Sequence, residues 1–240
     1  AMRPAPRAID PIRQVAMPVP QTIAIRQEDE QNLRPELETS AYGEIGIATA
    51  AQVLISGGIS RAIFVSPEGD DAAAAAVLVA REIADAGLRV LLLDLTTSSA
   101  ASRPMLESPS YTGITNLLAS EAQFADIIHG DLYSDCHVIP AGTADPERAM
   151  RAADRLPIIM DSLAAAYDVV LVECGPVDPA EIERLVTGDA IVMVAMLDPE
   201  EGSAAQTLRD LKAFGYGEAV LVTPVGYEPP APEDRRSSAA

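Results

Sequence analysis

Short apolar runs, separated by longer amphipathic segments, organise the middle of this chain. Six runs are continuously apolar instead of alternating with polar residues, as is typical of strands buried on both faces of a sheet. They cover residues 62–65, 90–93, 137–140, 169–172, 191–195 and 219–222. Strands that alternate with helical segments predict an α/β fold, with a doubly wound, mostly parallel sheet between layers of helices.

Helical periodicity fills most of the segments around these runs. The predicted helices cover residues 36–56, 72–86, 114–128 (in two pieces), 146–166, 179–186 and 203–214. Gly57 and Gly58 are expected to end the first helix. The carboxylates of Asp70 and Asp71 are expected to cap the start of the second helix.

The two ends of the chain differ from its middle. Residues 1–34 are rich in Pro, Arg and Gln without a period, which predicts a linker or disordered arm. Residues 35–226 form the predicted P-loop-like domain, and residues 227–240 form a predicted disordered tail. The opening Ala-Met is typical of a cloning remnant, so we expect the natural chain to extend further upstream. Neither a transmembrane helix nor a signal peptide is predicted.

Charge and composition narrow the range of functions. The net charge is −19, from 17 basic and 36 acidic residues, and Lys212 is the only lysine. We therefore expect neither nucleic acids nor anionic membrane surfaces as partners. Cys136 and Cys174 are expected to be buried free thiols, because no His or further Cys stands at metal-ligand spacing. His129 and His137 are expected to be loop or strand-edge residues without a catalytic role.

The segment 61–92 reads as strand, loop, helix and strand, which is how a P-loop nucleotide-binding domain begins. Right-handed crossovers would place its loop, residues 66–71, at the carboxyl edge of the sheet, where such folds bind ligands. A working loop ends in Gly-Lys-Ser/Thr, because backbone N–H groups, an ammonium and a hydroxyl on Mg²⁺ hold the phosphates together. Here Ala72 stands at the lysine position and Ala73 at the Ser/Thr position.

Motifs over about residues 41–225 resemble the cytoplasmic domain of bacterial tyrosine kinases in exopolysaccharide co-polymerase (chain-length) proteins, which are relatives of ParA/MinD-type ATPases. In family order the motifs are Ala41-Tyr42, LLLD at 91–94, Arg103-Pro104, GITNLLAS at 113–120, VIPAG at 138–142 and YDVVLVECGPV at 167–177. In such kinases the last three read approximately GLSDVL, VLPAG and YDYVIIDTPPV. The resemblance implies a three-layer P-loop NTPase-like fold and a place on the cytoplasmic side of the bacterial inner membrane.

Departures from the family pattern fall on the residues that would carry chemistry. The hydrophobic-Asp-x-Asp motif keeps Asp94 but has Thr96 in place of the second Asp, and the Walker B strand ends in Glu173. The expected vestigial nucleotide site comprises Gly69, Asp70, Asp71, Ala72, Ala73, Asp94 and Glu173.

Two further family features are missing. The ring-forming Glu-x-x-Arg-x-x-Arg of the leading helix is replaced by Ser40, Gly43 and Gly46. The C-terminal tyrosine cluster that such kinases autophosphorylate is reduced to Tyr227. Tyr42 and Tyr167 are expected to be packing residues.

Electrostatics opposes nucleotide binding at this loop. A triphosphate would lie near Glu68, Asp70 and Asp71, and each like-charge pair at about 5 Å costs about 3 kcal/mol at an effective dielectric constant near 20. The helix N-terminus offers only about half a positive charge in return. Asp94 can be explained more simply as a residue at the end of its strand that accepts hydrogen bonds from loop N–H groups. Glu173 can be explained as a vestigial residue.

The sequence therefore predicts a pseudo-kinase, an interaction or regulatory module with no catalytic residue, metal or cofactor. Its expected partners are other polysaccharide-assembly proteins or its own transmembrane co-polymerase part, and in isolation it is expected to be a monomer or weak oligomer. One alternative is an active ATP- and Mg²⁺-binding tyrosine kinase or ATPase with atypical motifs. Another is a stand-alone ParA/MinD-like adaptor.

Overall fold

A computed structural model describes residues 43–108, 110–188, 190–198 and 202–228. Its strands are β1 (Glu44–Gly46), β2 (Arg61–Val65), β3 (Val90–Asp94), β4 (His129–Gly130), β5 (His137–Ile139), β6 (Val169–Glu173), β7 (Ala190–Ala195) and β8 (Val220–Thr223). Its α-helices are α1 (Ile47–Ser56), α2 (Ala74–Asp85), α3 (Ile114–Leu118), α4 (Phe124–Ile127), α5 (Pro146–Met150), α6 (Leu156–Ala166) and α7 (Ser203–Phe214). Short 3₁₀ helices cover Arg103–Met105 and Ala153–Arg155.

The strands form one sheet in the order β1-β8-β7-β2-β6-β3-β5-β4, and only the edge pair β4–β5 is antiparallel among the described strands. Strand β2 lies at the centre, between β6 and β7. All five of its residues are buried, as a strand covered on both faces requires. The predicted α/β fold with a mostly parallel, doubly wound sheet is confirmed.

Two apolar layers cover the two faces of the sheet. Helices α1 and α2 pack on one face, where small side chains of α2 such as Ala76 and Ala80 allow the helix to approach the strands closely. Helices α3, α6 and α7 contribute to the other layer, for example through Leu117, Leu163 and Leu211. Aliphatic side chains make up most of both layers, and Phe64 is a fully buried aromatic side chain of the first.

The leading element differs from the predicted helix over residues 36–56. The helix begins at Ile47, and a three-residue strand precedes it because β1 pairs in parallel with β8. Gly46 is the helix N-cap residue and Gly43 has φ +74°, so neither lies inside a helix. Residues 36–42 of the prediction, including Ser40, Ala41 and Tyr42, lie outside the described residues.

Two other predicted helices are interrupted or missing. The segment 146–166 is divided into α5, a 3₁₀ turn and α6, because Pro157 in the first turn of α6 has no N–H to continue an earlier helix. Residues 179–186 form hydrogen-bonded turns instead of a helix. There the guanidinium of Arg61 donates to the Leu185 carbonyl oxygen at 3.3 Å and to Thr187 Oγ1 at 2.5 Å, which ties the end of the segment to β2.

Two of the sequence motifs meet at the β5 end of the sheet. The Ile114 N–H donates to the Pro140 carbonyl oxygen and the Thr115 N–H to that of Ala141, both at 2.9 Å. Gly113 lies so close that a Cβ added to it would be 2.0 Å from the Pro140 oxygen. This contact fixes the start of α3 beside the carboxyl end of β5.

We therefore expect Gly113→Ala to lower the free energy of unfolding by about 2 to 3 kcal/mol, because the added methyl group overpacks a backbone contact. Urea denaturation measures the change. Gly217→Ala is the matched control, since a Cβ there meets nothing within 4 Å, and it should stay within about 0.5 kcal/mol of the wild type. Equal stabilities for the two variants would contradict the close approach at Gly113.

Candidate functional site

The loop after β2 lies at the carboxyl edge of the sheet, beside the segments that follow β6 and β7. Its backbone forms successive turns. The Ala72 N–H donates to the Gly69 carbonyl oxygen at 3.1 Å, the Ala73 N–H to that of Asp70 at 3.2 Å and the Ala74 N–H to that of Asp71 at 3.3 Å. These N–H groups, which would face phosphate oxygens in a working P-loop, are therefore engaged by the loop itself.

The two alanines of the loop belong to the hydrophobic core. Ala72 and Ala73 are both 0% exposed and pack in the layer formed with α1 and α2. Neither side chain offers a charge or a hydroxyl. The loop thus presents apolar contacts to the core at the two positions where a P-loop would present a lysine and a metal-binding hydroxyl.

The predicted capping role of Asp70 and Asp71 is wrong. Helix α2 has Ala73 as its N-cap residue and no side-chain capping bond, because the turns just described precede it. Asp70 instead accepts a 2.7 Å hydrogen bond from Ser98 Oγ, and Asp71 is exposed. Asp70 thereby connects the loop after β2 to the loop after β3.

Asp94 organises the loop that follows β3. The side chain is fully buried, and its Oδ1 accepts from the Thr96 N–H at 2.9 Å and from Thr96 Oγ1 at 2.6 Å. Its Oδ2 accepts from the Ser102 N–H at 2.7 Å. The loop carries a left-handed residue, Ser99, with φ +57°. This is the arrangement of a strand-end acceptor of loop N–H groups.

Glu173 lies next to Asp94, as its register partner across the β3–β6 pair. Its side chain is 0% exposed, and Oε1 accepts from the Gly175 N–H at 2.8 Å. Burial is the main cause that raises the pKa of Glu173 to about 8; hydrogen bonds from Ser66 and from the Gly175 N–H lower it, and the nearby Asp94 charge adds a small increase. Glu173 is therefore mostly protonated at neutral pH, and Mg²⁺ binding to it would have to release this proton.

The two cysteines are free and buried. Burial raises the pKa of the Cys136 thiol to about 12, and the Asp131 charge contributes to the rise. Burial also raises the pKa of Cys174 well above its usual value. Both thiols stay protonated near neutral pH, so neither is an activated nucleophile.

Metal-ligating groups do not converge within the part of the chain that the structure describes. No cluster there combines three or more His, Cys, Asp or Glu side chains that could hold a metal ion. His129 and His137 lie in β4 and β5, away from the loop after β2. The Tyr167 hydroxyl lies 2.8 Å from His137 Nδ1, at the amino end of β6.

Sequence reasoning missed one contact of this site. Glu68 Oε2 accepts hydrogen bonds from the N–H groups of Leu197 and Asp198, which follow β7. From the sequence alone, Glu68 is only one of the negative charges of the loop. The partners lie about 130 residues away in the chain, so no local pattern could have indicated them.

No family model and no curated protein matches the chain, but solved structures do. The tyrosine kinase domain of BceF is 24% identical, with a TM-score of 0.54 and 74% of each chain covered. The kinase domain of the Escherichia coli tyrosine kinase ETK is 15% identical, with a TM-score of 0.55, over 77% of this chain and 79% of that one.

A nucleotide-bound ATPase shares the same architecture. The septum site-determining protein MinD of Pyrococcus horikoshii, complexed with Mg-ADP, is 20% identical, with a TM-score of 0.52, over 73% of this chain and 76% of that one. The chain thus has the P-loop NTPase-like fold that its motifs predicted, and its structural neighbours include bacterial tyrosine kinase domains and MinD.

The buried Glu173 carboxyl predicts a pH-dependent stability. Its folded-state pKa of about 8 exceeds the ordinary 4.5, so the folded state binds the proton more tightly. The contribution of protonated Glu173 to the free energy of unfolding is therefore fully present below about pH 4.5, and it is lost as the pH rises toward 8. Glu173→Gln removes this titration, so we expect the variant to gain stability relative to the wild type as the pH rises, by roughly 2 to 5 kcal/mol between pH 5 and 8.

Denaturant unfolding at several pH values between 5 and 8 measures this difference. Asp71→Asn is the matched control, because it neutralises an exposed carboxylate at the same sheet edge, and it should keep the wild-type slope. A constant offset between Glu173→Gln and the wild type across this range would show that Glu173 does not titrate there.

Proposed function

We propose that this chain is a catalytically inactive tyrosine-kinase-like domain that acts as an interaction or regulatory module in exopolysaccharide biosynthesis or export. The observation that carries the proposal is the burial of Ala72 and Ala73 in the core at the positions of the P-loop lysine and hydroxyl. The motifs at 113–120, 138–142 and 167–177, which resemble those of co-polymerase kinases, support the polysaccharide context.

The electrostatics of the site support the same proposal. Glu68, Asp70 and Asp71 surround the loop with negative charge, and Arg103, in the 3₁₀ helix after β3, donates to the Ser98 carbonyl oxygen at 2.6 Å. Glu173 is mostly protonated and Asp94 is fully engaged by its own loop. A nucleotide and its Mg²⁺ would therefore meet repulsion without the usual compensating ligands.

Partners and location follow from the resemblance. We propose other polysaccharide-assembly proteins, or a transmembrane co-polymerase part of the same protein, as partners on the cytoplasmic side of the bacterial inner membrane. Within the described residues, no helix is long and apolar enough to cross a bilayer.

A stand-alone adaptor is the second candidate, because the MinD fold matches nearly as well as the kinase domains. The upstream sequence of the full-length gene product separates the two, since a co-polymerase requires transmembrane helices there.

Isothermal titration calorimetry with ATP and Mg²⁺ tests the proposal. We expect no saturable heat, because the lysine and hydroxyl are absent and the loop is acidic. A dissociation constant in the low micromolar range would overturn the proposal in favour of an active kinase or ATPase.

Variants that restore the P-loop residues step by step form a matched series for ATP binding. The double variant Ala72→Lys/Ala73→Thr restores two contacts, but Asp71 keeps a Cβ and a charge where the backbone must approach phosphate. We expect weak ATP binding only after Asp71→Gly is added. Equal affinity in the double and triple variants would show that Asp71 is harmless.

The isolated domain is also expected not to assemble into a ring. In the family, arginines of the leading helix join neighbouring subunits, whereas here Gly46 ends β1 and Gly43 precedes it. Neither position can donate a charge-assisted hydrogen bond to a neighbour. Light scattering after size exclusion, at tens of micromolar protein, should give the mass of one or two chains. A stable octamer-sized species, with or without ATP, would show that another surface replaces the lost motif.

A further inference from the structure

We infer that the backbone N–H groups of Leu197 and Asp198 form an anion site and that the chain fills it with its own Glu68 carboxylate. Glu68 Oε2 lies 2.7 Å from the Leu197 nitrogen and 3.0 Å from the Asp198 nitrogen. Two successive N–H groups that converge on one oxygen are the arrangement by which backbone nests hold phosphates and carboxylates. Bonds from N–H groups to an ionised carboxylate are stronger than neutral ones.

The position of this contact gives it a structural consequence. Strands β2 and β7 are parallel neighbours, so the segments that follow them emerge side by side at the carboxyl edge of the sheet. Glu68 lies in the first segment, and its N–H partners lie in the second. The carboxylate therefore joins two segments that an anionic ligand at this edge would otherwise bridge.

The two oxygens of the Glu68 carboxylate differ in their hydrogen bonding. Oε1 is shielded from solvent and finds no hydrogen-bond partner within the part of the chain described here. Because an unsatisfied buried polar atom is unfavourable, the two bonds to Oε2 must offset the cost of leaving Oε1 unpaired. The site is thus self-liganded, and its two segments are joined without any nucleotide. This inference concerns the fold alone and does not depend on the polysaccharide role.

Chemical rescue tests the inference. Glu68→Ala should lower the melting temperature by about 4 to 8 °C, because two bonds to a charged group are lost. Sodium acetate, compared with sodium chloride at equal ionic strength, should raise the melting temperature of this variant by about 1 to 2 °C and leave the wild type unchanged, since acetate can occupy the vacated N–H groups. In ¹H–¹⁵N spectra, the amide resonances of Leu197 and Asp198 should shift on substitution and return toward their wild-type positions with acetate.

Two further variants make the test decisive. Asp71→Ala removes the same charge from an exposed position of the same loop and should stay within about 1 °C of the wild type. Glu68→Gln keeps an acceptor oxygen without the charge, so it should lower the melting temperature less than Glu68→Ala does. If the alanine variant does not fold, the shifts of the Leu197 and Asp198 amide resonances in the glutamine variant test the inference. Equal melting temperatures for Glu68→Ala and Asp71→Ala, unmoved amide resonances, or no acetate effect beyond that of chloride would each overturn the inference.

Discussion

Hydrogen bonds from backbone N–H groups to the chain's own carboxylates shape the carboxyl edge of this sheet, and the rest of the candidate site depends on them. Asp94 accepts from the N–H groups of Thr96 and Ser102, and Glu173 accepts from that of Gly175. In a nucleotide-binding P-loop protein, N–H groups at this edge face the negative charge of a ligand. Here oxygen atoms of the chain's own carboxyl groups accept these N–H bonds, so the loops are held together without a ligand.

Burial of carboxyl groups accompanies the apolar loop at this edge. Desolvation by burial is the main cause of the raised pKa of Glu173, and the neighbouring Asp94 contributes least to it. Glu173 accepts a bond from the Gly175 N–H, and Asp94 accepts from the N–H groups of Thr96 and Ser102. Ala72 and Ala73 pack in the core, and their side chains have no polar atom to satisfy. The buried alanines and the self-bonded carboxyl groups thus occupy the edge where a P-loop protein would place its lysine, hydroxyl and metal ligands.

Local patterns predicted the elements whose signals are local. Helix α7 matches its predicted bounds because glycines with positive φ, Gly202 and Gly215, stand at both ends. The core strands were predicted because a continuously apolar run identifies a strand buried on both faces. Strand β1 has only three residues and exists through its pairing with β8. The segment 179–186, predicted as a helix, forms turns instead, with bonds such as that from the Glu181 N–H to the Asp178 carbonyl, which spans three residues and not the four of an α-helix.

The features of the candidate site also divide into those that local sequence patterns predict and those that depend on distant parts of the chain. The substitutions at Ala72 and Ala73 could be read from the loop motif, since each residue is defined by its place after Gly69. The partners of Glu68 could not, because parallel strands bring together segments that are distant in the chain. The cap assigned to Asp70 fails because backbone turns move the start of α2 to Ala74, and the Asp70 carboxylate instead accepts a bond from Ser98 in another loop.

A site that is ordered by its own side chains has a consequence for regulation. A ligand shifts a conformational equilibrium only by its differential affinity for the two states. In the proposed pseudo-kinase no nucleotide enters this edge, so ATP binding and hydrolysis would not drive a change there. The surface of the edge would then stay constant, which suits a module that holds a partner instead of cycling on and off it. The buried Glu173 carboxyl remains at this edge as a group whose pKa is raised to about 8. Under the proposed function, control by a partner, or by a chain to which the domain is attached, is therefore the consistent form of regulation.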